Sequence, residues 1–190
     1  MNRFFAMISR MKYIDRWGLM NNTKTENISE HSLETAILAH ALVTIANTRL
    51  HEDLDANKAA VIAMFHDASE IITGDMPTPI KYYNPEIKNA YKTVERVAEE
   101  RLIHMLPDDL QAIYRPVISN EDAVLERYVK AADKLSALIK CIEEVRMGNN
   151  EFQKAKEATE SAIEKMELPA LKIFMEECIP AYYLTLDELG

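Results

Sequence analysis

The chain has 190 residues, 48% of them hydrophobic, which suffices for one domain with a sizeable core. Four glycines and seven prolines leave little material for a turn-rich β architecture, and no apolar run approaches the roughly 18 residues needed to cross a membrane. A formal net charge of −9 argues against a nucleic-acid polymer as partner, but not against a single nucleotide, whose phosphate a cation and one or two basic side chains can neutralise.

Helical periodicity dominates from the start. Residues 2–12 read as an amphipathic helix whose apolar stretch is broken by Arg3, Arg10 and Lys12, which is not the pattern of a signal peptide. The polar segment RWGLMNNTKTENI leads into a helix near Ser29, where Asn27 followed three residues later by Glu30 forms a capping pair. Along it Leu33, Ile37, Leu38, Ala41, Leu42 and Ile45 are expected to trace one apolar face. Asp55 caps the next helix, which carries Ala59, Ile62, Ala63, Phe65 and His66 and is expected to run to Gly74. In the loop GDMPTPI, Pro77 and Pro79 remove two amide donors and stiffen the backbone.

A long helix is expected from Pro85 to about Leu106, with Ile87, Tyr91, Val94, Val97, Ala98, Leu102 and Met105 on one side and Pro107 closing it. A short helix over about 108–114 precedes a long one from Asp122 to Met147, with Gly148 as its C-terminal cap. GNNEFQKAK opens a charged helix to about Met166, and Pro169 to Tyr183 is a last helical stretch interrupted at Pro180. With no internal repeat or linker, residues 1–190 read as one all-α domain. Cys141 and Cys178 lack CxxC spacing and read as reduced core thiols, which together with the missing export signal points to the cytoplasm.

Chemistry concentrates in FHDASE. His66 and Asp67 are both metal-ligating types, and Asp67 follows the apolar run Ala63-Met64-Phe65, where a bare carboxylate would cost several kcal/mol to bury without a partner. Adjacent helical residues point about 100° apart, so the pair can converge on one ion only near a helix edge or end. Two more ligands must come from elsewhere, and His31 and Asp133 are the candidates. Each has an ordinary reading too: His31 as a polar residue of a first helical turn, Asp133 as a surface carboxylate paired with Lys130 or Lys134. Two imidazoles and two carboxylates suit Mn, Co, Zn, Fe or Mg with coordination left for water. Glu70, three residues after Asp67 and four after His66, is expected on the same helix side, as a proton acceptor or else as a solvated glutamate. His40, His51 and His104 have no comparable partners and read as structural or exposed.

The order His, His-Asp, distant Asp resembles the HD superfamily of metal-dependent phosphohydrolases. Longer strings narrow it: RWGLMNNTKTENISEHSLETA, AMFHDASEIITGDMPTPIKYYN and GNNEFQKAK resemble bacterial 5′-deoxynucleotidases of the YfbR type over nearly the whole chain, the stretch 106–128 being undistinctive. The resemblance implies a compact all-α HD-domain fold and a homodimer. It also implies a phosphoric monoester hydrolase that takes phosphate from deoxyribonucleoside 5′-monophosphates with a divalent cation such as Co or Mn. It implies His31, His66, Asp67 and Asp133 as metal ligands, with His31, Asp67 and Asp133 also facing the substrate. Glu70 becomes the catalytic carboxylate and Arg16 the residue that orients phosphate. Trp17 would lie against the sugar, disfavouring a 2′-hydroxyl, and Asp75, Met76, Pro77 and Thr78 would line the nucleoside side. Arg16 has a fork that matches phosphate oxygens, and Lys81 is a further source of positive charge. The same ligands would serve an HD enzyme acting on a cyclic nucleotide or triphosphate, and a non-catalytic nucleotide-binding helical dimer stays open. A di-iron oxygenase-like member would need more histidines than this chain has between its motifs.

Overall fold

The computed structural model describes residues 1–81 and 83–190, and of Thr78 the backbone alone. Among these residues the chain is all-α: the sole extended pairing is an antiparallel bridge between Asp15 and Asn27. None of its helices is long and apolar enough to cross a membrane.

The N-terminal helix is shorter than its hydrophobic pattern suggests. Helix α1 spans Phe4–Ile8, and the chain then tightens into a 3₁₀ segment, Ser9–Tyr13. Helix α2, Ile28–Leu50, begins at the Asn27/Glu30 capping box, with the Asn27 side chain accepting from the amides of Ser29 and Glu30. Helix α3, Ala56–Phe65, is capped by Asp55. It stops well short of Gly74: residues 66–69 form a turn, and a separate one-turn helix, α4, covers Glu70–Thr73. Part of the reason is local. In a continuing helix the Ala63 carbonyl would accept from the amide of residue 67, but here it faces the His66 ring at 2.7 Å. Helix α5, Thr78–Lys81, leads to α6, Pro85–Ile103, with Pro85 in its first turn behind the Asn84 cap. Then come α7, Asp108–Ile118, which tolerates Pro116 within it, α8, Ala123–Arg146, capped by Asp122, α9, Gln153–Glu164, and α10, Pro169–Glu177. After α10 a 3₁₀ segment, Ile179–Tyr183, contains Pro180.

Two apolar clusters hold these elements. The larger joins α2, α3, α8, α9 and α10 through residues such as Leu42, Ile62, Leu135, Leu138 and Leu171. The smaller sets Phe4 against Ala68, Leu102, Ile103, Leu106 and Ile118, so α1 braces the turn that carries His66 and Asp67. Burial on α2 departs from the expected face: Leu33 and Ile37 stay 59% and 62% exposed. The helix instead buries Thr35, Leu38, Ala39, Leu42, Val43 and Ala46, whose small members let α3 and α8 approach closely. On α6, Val94 and Val97 are likewise exposed, while Tyr91, Ala98, Leu102 and Ile103 face inward. Cys141 is buried and Cys178 half-buried, both unpaired.

Candidate metal centre

The approach to the centre is a loop pinned at both ends. The amide of Arg16 donates to the Glu26 carbonyl at 2.8 Å and that of Ile28 to the Ile14 carbonyl at 3.0 Å. From below, Glu144 of α8 accepts the amides of Thr23 and Lys24 at 2.9 and 3.2 Å, and Lys140 pairs with Glu144 and the Lys24 carbonyl. Glu144 is fully buried, and these donors are what make a charge tolerable there. The loop carries strain at one residue: Trp17 has φ of 60°, the left-handed region that a bulky side chain seldom adopts. Its ring packs on Phe152 at 5.3 Å between centroids.

Beside this loop the four expected ligand residues converge. His31 sits in the first turn of α2, His66 and Asp67 in the turn after α3, and Asp133 midway along α8. A ligand atom from each of His31, His66 and Asp133 lies within 4.8 Å of the others. Asp67 Oδ2 lies 3.5 Å from His31 Nε2 and 3.3 Å from His66 Nε2, and Asp133 Oδ1 lies 3.2 Å from His31 Nε2. Asp133 does meet Lys134, at 3.5 Å, but through its other oxygen, while Lys130 is taken by Glu126. The adjacent residues His66 and Asp67 can face one point because the helix has ended before them.

The donor set fits a divalent cation. Each imidazole is held from behind through Nδ1, His31 by Ser136 Oγ at 2.9 Å and His66 by the Ala63 carbonyl at 2.7 Å. Both Nε2 atoms face the cluster, buried and, among the described residues, without a hydrogen-bond partner. Two such orphaned nitrogens beside two carboxylate oxygens are a costly arrangement for apolar surroundings and a suitable one for a metal.

Charge around the cluster is strongly coupled. Burial pushes Asp67 up, but His66, His31 and Arg16 hold its carboxyl below the usual carboxylate range. Burial and then Arg16 drive His31 below its ordinary value, against the opposite pull of Asp133 and Asp67. Burial also disfavours the Arg16 cation, yet Asp67, Asp133, Glu26 and Glu70 more than offset it. Arg16 gives Nε to Glu26 at 3.0 Å and one terminal nitrogen to Asp67 at 3.1 Å, leaving its other N–H groups uncommitted among the described residues.

Glu70 opens α4 rather than continuing α3, so its place comes from the intervening turn and not from one helix face shared with His66 and Asp67. It is 5% exposed, its Oε2 has no hydrogen-bond partner among the described residues, and burial followed by repulsion from Asp67 and Asp75 pushes its carboxyl up to about 9. Asp75 is raised by burial as well. Met76 and Pro77 are half-buried in the loop between α4 and α5, and the expectation for the Thr78 side chain falls outside the described residues. Lys81 bonds Glu95 at 2.8 Å. His40, His51 and His104 are exposed.

Glu26, Ser136 and Glu34 escaped the sequence reading. Glu34 lies one turn from His31 and Ser136 one turn from Asp133, and that i, i+3 spacing was the available signal.

A family model described as 5′-deoxynucleotidase YfbR-like matches residues 3–182. A 5′-deoxynucleotidase of Shewanella oneidensis is 47% identical over 100% of this chain and 98% of its own length. One from Yersinia pseudotuberculosis is 48% identical with the same coverage. Among solved structures, an HD-domain phosphohydrolase from Listeria innocua superposes with a TM-score of 0.82 at 23% identity, over 95% of this chain and 88% of that one. A cyanophage S-2L HD phosphohydrolase bound to dA and one catalytic Zn²⁺ gives 0.63 at 21% identity, over 92% and 95% of the two chains. These two likenesses establish the HD-domain fold.

Proposed function

The chain belongs to the 5′-deoxynucleotidase YfbR-like family, and from that premise we propose that it hydrolyses deoxyribonucleoside 5′-monophosphates to deoxyribonucleoside and phosphate. One observation carries this: two buried imidazole nitrogens without partners face two carboxylates, with the Arg16 guanidinium hydrogen-bonded to one of them. His31, His66, Asp67 and Asp133 are the proposed ligands of a divalent cation, cobalt or manganese among the candidates. When bound, such an ion supplies a Lewis acid and a water of lowered pKa.

The chain's own groups do the rest. The uncommitted N–H groups of Arg16 bind the phosphate and stabilise charge on its equatorial oxygens as the ester bond breaks. Glu70 holds a proton in the cation-free site, and positive charge at the cluster favours its carboxylate, which then accepts the proton of the attacking water. The 5′-oxygen of the nucleoside leaves as its bond to phosphorus breaks and takes up the proton that Glu70 received, which restores the carboxylate. Trp17, held rigid against Phe152, walls the sugar and disfavours a 2′-hydroxyl. Asp75, Met76 and Pro77 face the nucleoside, with Asp75 accepting from a sugar hydroxyl.

We take residues 1–190 as a single HD domain that works as a cytoplasmic homodimer. Exposed Leu33 and Ile37 on successive turns of α2 support a partner on that helix. The test is phosphate release from a panel of deoxy and ribo monophosphates, with each divalent cation added to metal-stripped protein. Release from deoxy substrates only when a cation is added is expected. Equal release without any cation, or none from any monophosphate, overturns the proposal.

A further inference from the structure

Behind His31 lies a second hydrogen bond that the ligand set alone does not require. Ser136 Oγ, fully buried, stands 2.9 Å from His31 Nδ1 and 2.5 Å from Glu34 Oε2. Glu34 is one turn along α2 from His31, and Ser136 one turn along α8 from Asp133. Each helix therefore presents one ligand and one supporting group to the same junction. Glu34 is half-buried and borders a cavity of about 190 Å³, which Glu26 and Lys140 also line.

Counting protons orients this chain. A hydroxyl has one hydrogen, and a carboxylate only accepts. With Glu34 ionised, which burial opposes and the Ser136 hydroxyl favours, Ser136 donates to Glu34, its oxygen accepts from His31, and His31 carries its hydrogen on Nδ1. Nε2 is then a bare lone pair facing Asp133 Oδ1 at 3.2 Å and Asp67 Oδ2 at 3.5 Å. The opposite tautomer would set the Nδ1 lone pair against the serine oxygen and put a hydrogen where a cation would bind. His66 carries its Nδ1 hydrogen by a simpler route, because the Ala63 carbonyl at 2.7 Å can only accept.

We propose that Glu34 and Ser136 are positioning residues that lock His31 in the Nδ1–H tautomer, so that its Nε2 is permanently available to a divalent cation. This rests on His31 being a metal ligand, and Glu34 and Ser136 act through His31 without touching substrate. Supporting groups of this kind typically contribute 10- to 100-fold in metal affinity.

The test uses the full-length protein with Co²⁺ as the probe. Ring nitrogen NMR of the metal-free wild type reports the His31 tautomer directly, with His66 as an internal reference. Chelator competition and the visible spectrum of the cobalt form report affinity and ligand field in wild type, Ser136→Ala and Glu34→Leu. Expected are Nδ1–H on both histidines of the wild type, Co²⁺ affinity about 10- to 100-fold weaker in each variant, and a loss of the pure Nδ1–H signal at His31 in Glu34→Leu, where the Ser136 hydrogen is free to turn to His31. Glu34→Leu, altered at a half-buried position, keeps the test decisive should Ser136→Ala fold poorly. An Nε2–H signal from His31 in the wild type, or wild-type affinity and spectrum in the variants, overturns the proposal. A wild type that shows Nδ1–H but binds no Co²⁺ removes the underlying metal assignment instead, and the proposal falls with it.

Discussion

The indole Nε1 of Trp17 donates to Glu26 Oε2 at 3.0 Å, and the same oxygen receives Nε of Arg16 at 3.0 Å. A single carboxylate oxygen thus sets both the proposed phosphate-binding fork and the proposed sugar wall. Its grip also helps explain how Trp17 persists at φ of 60°, a conformation that costs a bulky residue on the order of 1–3 kcal/mol.

Glu26→Gln is expected to disturb both neighbours at once. The amide keeps one acceptor but loses the charge, and hydrogen bonds to charged groups contribute about 1.5–3 kcal/mol. A fall in kcat/KM of roughly 10- to 100-fold follows by that arithmetic, with a narrower preference for deoxy over ribo substrates. Steady-state kinetics on a matched deoxy and ribo pair decides it. Trp17→Ala should narrow the preference alone, with a smaller loss on the deoxy substrate, so equal losses in the two variants would refute the division of labour.

Metal loading should be visible as stability. A ligand that binds only the folded chain at about 100 times its Kd adds about 2.7 kcal/mol. For a chain of 190 residues that corresponds to a rise in Tm of roughly 5–10 °C. Metal-stripped wild type should show this rise with Mn²⁺ or Co²⁺, and His66→Ala should lose most of it. A differential scanning fluorimetry titration that moves both proteins equally would place the ion elsewhere.

What sequence alone revealed divides along the range of the interactions involved. The Asn27/Glu30 capping box is local and was readable, as was the convergence of His66 and Asp67 near a helix end. The break of α3 at Phe65 was not, because helical periodicity continues to Gly74, whereas the turn arises where the His66 ring takes the Ala63 carbonyl. Glu26 is bound to Arg16 and Trp17 by a loop that doubles back, and Ser136 meets Glu34 and His31 from more than 100 residues away. Hydrophobic spacing likewise could not tell Leu33 and Ile37, left outside, from Leu38 and Leu42, packed inside, since α2 is covered from several directions. The pairing of Lys81 with Glu95 was hidden in the same way, since Glu95 lies on the next helix.

The buried pair Lys140–Glu144 supports the site loop from beneath, which makes Glu144 a stability residue. Glu144→Ala leaves the buried Lys140 ammonium without its carboxylate, deprives the amides of Thr23 and Lys24 of their acceptor and removes one of two acceptors from the side chain of Asn149. Breaking one side of a buried ion pair typically costs about 3–5 kcal/mol. Urea unfolding monitored by circular dichroism should show a midpoint lowered accordingly, with an unchanged slope. A loss below 1 kcal/mol, the range of an exposed pair, would count against this role.

Glu70 supplies a pH test in the metal-free protein. Burial, then repulsion from Asp67 and Asp75, pushes its carboxyl from an ordinary 4.5 up to about 9 in the folded chain. The folded state therefore holds this proton more tightly than the unfolded one. The associated stability is complete below about 4.5 and drains away as pH rises through about 9. Asp67 works in the opposite sense: its carboxyl is held down, so its contribution is lost only in acid and stays outside this window. Glu99, which burial, Glu95 and Glu100 raise to about 7, also loses stability on the way up, but it is common to wild type and variant. Glu70→Gln cannot ionise, so between pH 6 and 9 its Tm should fall less steeply than that of wild type, by a few degrees at the alkaline end. Thermal melts in chelator across that range make the comparison, because a bound cation would itself pull the Glu70 carboxyl down. Parallel curves would mean that Glu70 titrates as an ordinary solvated glutamate, with no proton held for the reaction at neutral pH.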